Sequence, residues 1–73
     1  MKNNRTSLSL FIKEQRKKYA LTQQEFSLRS GLGLRFVREL EQGKQTLRMD
    51  KVNQAINFFG YEISFKKIGE NDE

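Results

Sequence analysis

Apolar residues recur along the chain at two different periods. Between Ser7 and Tyr19, Leu8, Phe11, Ile12 and Tyr19 return at helical spacing. At 100° per residue they fall within about an 80° arc that also contains Gln15. Lys13, Glu14 and Lys17 face away, as does Leu10, which packing does not require. Thr22-Gln-Gln-Glu25 has the form of a capping box, which predicts a helix from Gln23 to Ser30 with Phe26 inward. Gly31 is the expected stop, because glycine takes the left-handed conformation at no steric cost. Gly33 then caps a third helix over Leu34–Gln42, less well than Ser or Asp would. Val37, Leu40 and Glu41 share one side of that helix. Arg35, Arg38, Glu39 and Gln42 span about a 100° arc on the other. Gly43 ends it. Met49, Val52, Ile56 and Phe59 then mark a fourth helix that stops at Gly60.

Beyond Gly60 the period becomes two. Tyr61-Glu-Ile-Ser-Phe-Lys-Lys67 alternates apolar and polar side chains and predicts a half-buried strand. A single strand has no neighbour in its own chain, so Tyr61, Ile63 and Phe65 must be covered by other means. Either the segment lies as an extended arm on its own helices, or it pairs antiparallel with the same strand of a second copy. The second is preferred, because a twofold pair of identical strands is self-complementary and gives a small core extra burial. The expected fold is mainly α, a four-to-five-helix bundle over residues 7–60, with a C-terminal β-strand (61–67) pairing across a homodimer. Residues 1–6 and the acidic tail 68–73 are expected to be loose.

With 73 residues this is one small domain, and so short a chain buries only about 60% of the surface its unfolded form exposes. Cysteine and histidine are both absent. That excludes disulfides, thiolate or imidazole metal sites, and a histidine general base. No two acids share a predicted concave site, so an enzyme, a metal centre and a cofactor are all unexpected. The net charge is +5, but Glu70, Asp72 and Glu73 lie in the last four residues. Residues 1–69 carry fourteen Lys and Arg against six Asp and Glu, or +8. A body this basic suggests an anionic partner, and nucleic acid is the commonest. No apolar run approaches the roughly 20 residues of a membrane span. MKNNRTS lacks the apolar core of a signal peptide. The reading is a cytoplasmic protein with no membrane partner.

A helix of about eight residues, a short turn opened by glycine and a helix of about nine follow the helix-turn-helix plan, in which the second helix lies in the DNA major groove. Here the residues carry a resemblance. Thr22-Gln-x-Glu-Phe26, the later Gly31, then Val37-x-x-Leu40-Glu-x-Gly-Lys44 resembles the phage-repressor (Cro-like, XRE) helix-turn-helix domain over about Leu8 to Gly60. The stretch GLGLRFVRELEQGKQTLRMDKV, with a strand expected after the fourth helix, resembles HipB-type antitoxins. Those are DNA-binding members of toxin–antitoxin operons whose partner is a HipA-like serine/threonine kinase.

The resemblance implies roles. Gln23 matches a glutamine that braces the phosphate backbone. Gly33, Leu34, Arg35, Arg38 and Glu39 match the surface that meets bases and phosphates, and Arg16 with Glu41 matches an ion pair joining the first and third helices. Two departures stand out. The family commonly has Ser or Thr at Gly33, which removes a phosphate contact, and Ala at Ser27, where helices two and three pack.

The side chains support the DNA surface on their own chemistry. An arginine fork can bind guanine O6 and N7 together, which suits Arg35 and Arg38, and Leu34 can meet a thymine methyl group. Glu39 either accepts from cytosine N4 or orders Arg35 by an i, i+4 pair; both stay open. Thr22, Lys44 and Thr46 are further candidates for phosphate contact, and Phe36 is expected to pack towards the fourth helix. The expected function is a homodimeric, operator-binding repressor acting as antitoxin to a HipA-like kinase. The alternatives are a stand-alone phage-type repressor, or a protein-interaction module with Leu10, Leu34 and Phe36 as contacts.

Overall fold

The computed structural model describes residues 6–69, which form four helices: α1 (Ser7–Lys18), α2 (Gln23–Ser30), α3 (Leu34–Gln42) and α4 (Met49–Phe58). The expectations for residues 1–5 and 70–73 lie outside the described residues. Thr6, grouped by polarity with the loose start, is in fact the N-cap of α1. Its hydroxyl accepts from the Ser9 N–H at 3.1 Å, and the Ser9 hydroxyl accepts from the Thr6 N–H at 2.8 Å. The same reciprocal pair opens α2, with Thr22 and Glu25 at 3.0 and 2.8 Å. Each satisfies two donors that a helix start otherwise leaves free.

The end of α1 is less orthodox. Ala20 sits in the left-handed region at φ 56°. Its N–H bonds the Lys17 carbonyl, and the Leu21 N–H bonds the Arg16 carbonyl, both at 3.0 Å. This is the paired closure usually given to glycine.

α1 and α2 both pack on α3, and α4 closes over α2. The core comprises Ile12, Phe26, Leu32, Val37, Leu40, Val52, Ala55, Ile56 and Phe59. Phe26 is its centre, with ring centroids 5.1 Å from Phe59 and 5.4 Å from Phe58. Two helical-face expectations need correcting. Met49, in the first turn of α4, is mostly exposed and edges an apolar hollow with Leu8, Leu47 and Ile63. Tyr19 is also exposed, stacked on the outer side of Phe59 with centroids 5.9 Å apart. Both stand at helix ends, where the periodic face outruns its neighbours.

The expected strand is absent: among the described residues there is none, and residues 61–67 carry no regular structure. A ladder needs a second strand, and this chain supplies no partner for it. The segment instead lies partly on its own helices. The Tyr61 ring meets the edge of Phe11 at 4.9 Å, and Ile63 is half-buried against the core. Phe65 remains 96% exposed, so the three apolar side chains do not share one covered face.

Gln15, inside the apolar arc of α1, is buried, and its Oε1 has no hydrogen-bond partner among the described residues. A buried acceptor left unpaired costs about 1–3 kcal/mol. Gln15→Leu is therefore expected to raise stability by about 1 kcal/mol, and the melting temperature by roughly 4–8 °C for a domain of this size. A lower melting point for the variant would mean that the amide is partnered in solution.

Candidate nucleic-acid interface

The corner between α2 and α3 is rigid. Gly31 takes φ 82°, and a Cβ there would lie 3.2 Å from the Gln54 amide nitrogen. Leu32, between the two glycines, is a core residue at 2% exposure. The turn's backbone is then tied from three sides. The Ser27 hydroxyl donates to the Leu32 carbonyl at 2.6 Å, and the Leu32 N–H donates to the Ser30 hydroxyl at 3.2 Å. Gln54 of α4 donates to the Ser30 carbonyl at 2.6 Å. Ser27, the departure from the family's usual alanine, thus fastens the turn.

Beneath α3 lies a second fastening. Arg16 reaches Glu41 through Nε at 2.6 Å and Nη2 at 2.9 Å, while its Nη1 donates to the Leu21 carbonyl at 2.9 Å. Gln23 donates from Nε2 to the same Glu41 carboxylate at 3.0 Å. The Glu41 side chain is only 2% exposed. One carboxylate therefore locks α1 and the start of α2 to the inner face of α3. Parallel N–H···O bonds from one guanidinium fix orientation as well as distance. The role of Gln23 in this lock had no signal in the spacing; in this structure its amide nitrogen points to Glu41.

With Val37, Leu40 and Glu41 buried, the opposite side of α3 projects. Arg35 is nearly free in solvent, its Nε 3.3 Å from Glu39 Oε2. Lys44, just past α3, brings Nζ to 3.4 Å from the same oxygen. Of the two openings for Glu39, the structure shows the cation-ordering one. Arg38 is exposed and has no carboxylate partner among the described residues.

Leu34 and Phe36 are half-buried, Phe36 against the core. Thr46 is exposed in the α3–α4 loop, and the hydroxyl of Thr22 is committed to the α2 cap. Gly33 makes no side-chain cap, and a Cβ there would meet nothing within 4 Å. The structure thus gathers Arg35, Arg38, Glu39 and Lys44 on one surface. Thr22 and Gln23 open α2, with the Gln23 amide bonded to Glu41 on the inner side of α3.

One further charged pair was not anticipated. Arg48, at the N-cap of α4, grips Asp50 with bonds of 2.8 and 3.2 Å. Hydrogen bonding from Arg48 holds the Asp50 carboxyl below its usual range. The signal was available as an acid two residues after an arginine ahead of a helix. Among the described residues no group of acids could hold a metal ion, and no helix is long and apolar enough to cross a membrane.

Comparison with known proteins agrees with this geometry. The helix-turn-helix family model matches residues 12–66. The chain is also 40% identical, over 55 residues, to the uncharacterised HTH-type transcriptional regulator y4mF of Sinorhizobium fredii (strain NBRC 101917 / NGR234). That match covers 75% of this chain and 72% of the relative. A capped α2, a glycine corner and a buried Arg16–Glu41 lock beneath α3 accompany these matches: the chain belongs to the Cro/XRE-type helix-turn-helix family.

Proposed function

We propose that this chain is a sequence-specific transcriptional regulator that places α3 in the major groove of double-stranded DNA. One observation carries the reading. α3 is rooted by Val37, Leu40 and Glu41 on a rigid corner, and it presents Arg35 and Arg38 outward from a basic body. Arg38, with no carboxylate partner among the described residues, is the base reader. Arg35, Leu34 and Gly33 meet the groove beside it. Lys44 and Thr46, with Thr22 and Gln23 at the start of α2, approach phosphates. Phosphate contacts fix the register, and base contacts supply sequence information.

Homodimerisation through residues 61–67 completes the reading. Phe65, alternating with half-buried Ile63, is left uncovered in a single copy. Antiparallel pairing of two such segments would give each an edge partner and set the distance between the two α3 helices. At the finer level the chain is a HipB-type antitoxin that represses its own operon and binds a HipA-like serine/threonine kinase. Support for this is the resemblance of residues 31–52. Co-purification with the kinase encoded by an adjacent gene tests it, and a neighbourhood without such a gene favours the stand-alone repressor.

Selection from a randomised duplex pool tests the DNA reading. The parent is expected to recover a palindrome with half-sites about one helical turn apart. Arg38→Ala is expected to bind that palindrome more weakly by about 1–3 kcal/mol and to tolerate substitution at one position in each half-site. Unchanged affinity and unchanged selectivity in the variant would remove Arg38 from the groove.

A further inference from the structure

Three of the four cations that border the outer side of α3 and the loop after it already face a carboxylate within the chain, two of them sharing one. Glu39 Oε2 holds Arg35 at 3.3 Å and Lys44 at 3.4 Å, and Asp50 holds Arg48 at 2.8 Å. The Glu39 attachment to Lys44 is double, because the Lys44 N–H also donates to the Glu39 carbonyl at 3.1 Å. One carboxylate thus spans the end of α3 and the loop that follows, and its side chain is about three-quarters buried.

We infer that Glu39 is a specificity-determining residue that acts as an internal counterion and not as a base contact. The inference rests on the DNA-binding reading above. A phosphate that recruits Arg35 or Lys44 competes with Glu39 for their charge, and the carboxylate meanwhile repels the incoming strand. On an arbitrary sequence, phosphate contact is nearly all that binding gains, since the sequence-independent part of affinity is electrostatic. The exchange of one anion for another then yields little. On the operator, base contacts by Arg38 and its neighbours add to the exchange and carry it through. Glu39 therefore lowers affinity for all DNA but lowers it most, in proportion, where no base contact exists. The gain is discrimination, obtained by penalising the wrong partner.

Salt makes the mechanism measurable. Each phosphate neutralised by a free cation contributes about −0.9 to the slope of log affinity against log salt. A cation that merely trades Glu39 for a phosphate contributes less, because the chain had already supplied its counterion. Glu39→Gln keeps the length and an acceptor oxygen but removes the charge, so Arg35 and Lys44 become available to phosphates.

The experiment measures affinity against salt for two duplexes of about 25 base pairs, the selected palindrome and a scrambled sequence of equal composition. Glu14→Gln is the control, since it makes the same charge change on the exposed side of α1. Glu39→Gln is expected to bind scrambled DNA about three- to tenfold more tightly, with a slope steeper by one to two. Operator affinity rises less, so the operator-to-scrambled ratio falls. Lys44→Ala should weaken scrambled binding more in the Glu39→Gln background than in the parent, since only there is Lys44 free. Equal gains for Glu39→Gln and Glu14→Gln would overturn the inference, leaving only net charge. Loss of operator binding with scrambled binding unchanged would also overturn it, making Glu39 a base contact. A parent protein that binds neither duplex at low salt would instead dispose of the DNA-binding reading itself.

Discussion

Glu41→Ala is expected to destabilise the fold by about 3–5 kcal/mol, while Glu39→Ala, two residues earlier on the same helix, costs less than about 1. The difference is burial and the number of bonds left open. Glu41 accepts three hydrogen bonds, two from Arg16 and one from Gln23, with its side chain 2% exposed. Removing it strands a guanidinium whose own side chain is only 12% exposed. Glu39 holds its cations at a solvent boundary, where such pairs are weak. A small domain has on the order of 5–10 kcal/mol in total, so Glu41→Ala should fold poorly at physiological temperature. Urea denaturation of both variants checks this. Equal midpoints would mean that the Arg16–Glu41–Gln23 network bears little of the fold's stability.

The sequence made the helices legible because their ends carry side-chain signals. Thr22 with Glu25, Gly31 and Gly43 all mark boundaries that the structure places at the same residues. The α1 boundary was harder. Its cap pairs Thr6 with Ser9, a weaker signal than Ser or Thr with Glu, and its close uses Ala20 where glycine would announce it. Leu32 escaped notice because a residue between two glycines belongs to no periodic face, yet it fills the core. The outer residues of α3 could be read from the helical wheel alone. The pair of Arg35 with Glu39 could be read the same way, but Lys44 and Gln23 meet the carboxylates of Glu39 and Glu41 through the three-dimensional path of a loop and of a neighbouring helix.

The segment after Gly60 misled for a physical reason. Alternation reports that one side of an extended segment needs cover; it does not say that a ladder exists. A single copy covers Ile63 and leans Tyr61 on Phe11, leaving Phe65 in solvent.

Cutting the chain after Gly60 follows from the proposed dimer and should have the other large effect. Two linked half-site contacts bind more tightly than one by about 10²–10⁴ where the geometry suits both. The truncated chain is therefore expected to sediment as a monomer and to lose at least about a hundredfold in operator affinity. Some loss of stability accompanies this, because Ile63 and the Tyr61–Phe11 contact go with the segment. Ser64→Pro separates the two effects. It keeps both contacts but removes a backbone donor that continuous pairing requires. A truncated chain that remains a dimer would put the interface on the helices, where the apolar hollow lined by Leu8, Leu47, Met49 and Val52 would be the first surface to test.

The placement of α3 in the major groove is tested most directly by chemical probing of guanine N7 on the selected duplex, with and without protein. N7 lies on the floor of that groove, and an arginine fork that binds guanine covers it. The expected result is two clusters of protected guanines, centred about 10–10.5 base pairs apart or a multiple of that, with one guanine in each cluster exposed again by Arg38→Ala. Guanines left equally reactive when the protein is fully bound, or protection unaltered by Arg38→Ala, would contradict the assignment of this helix to the groove.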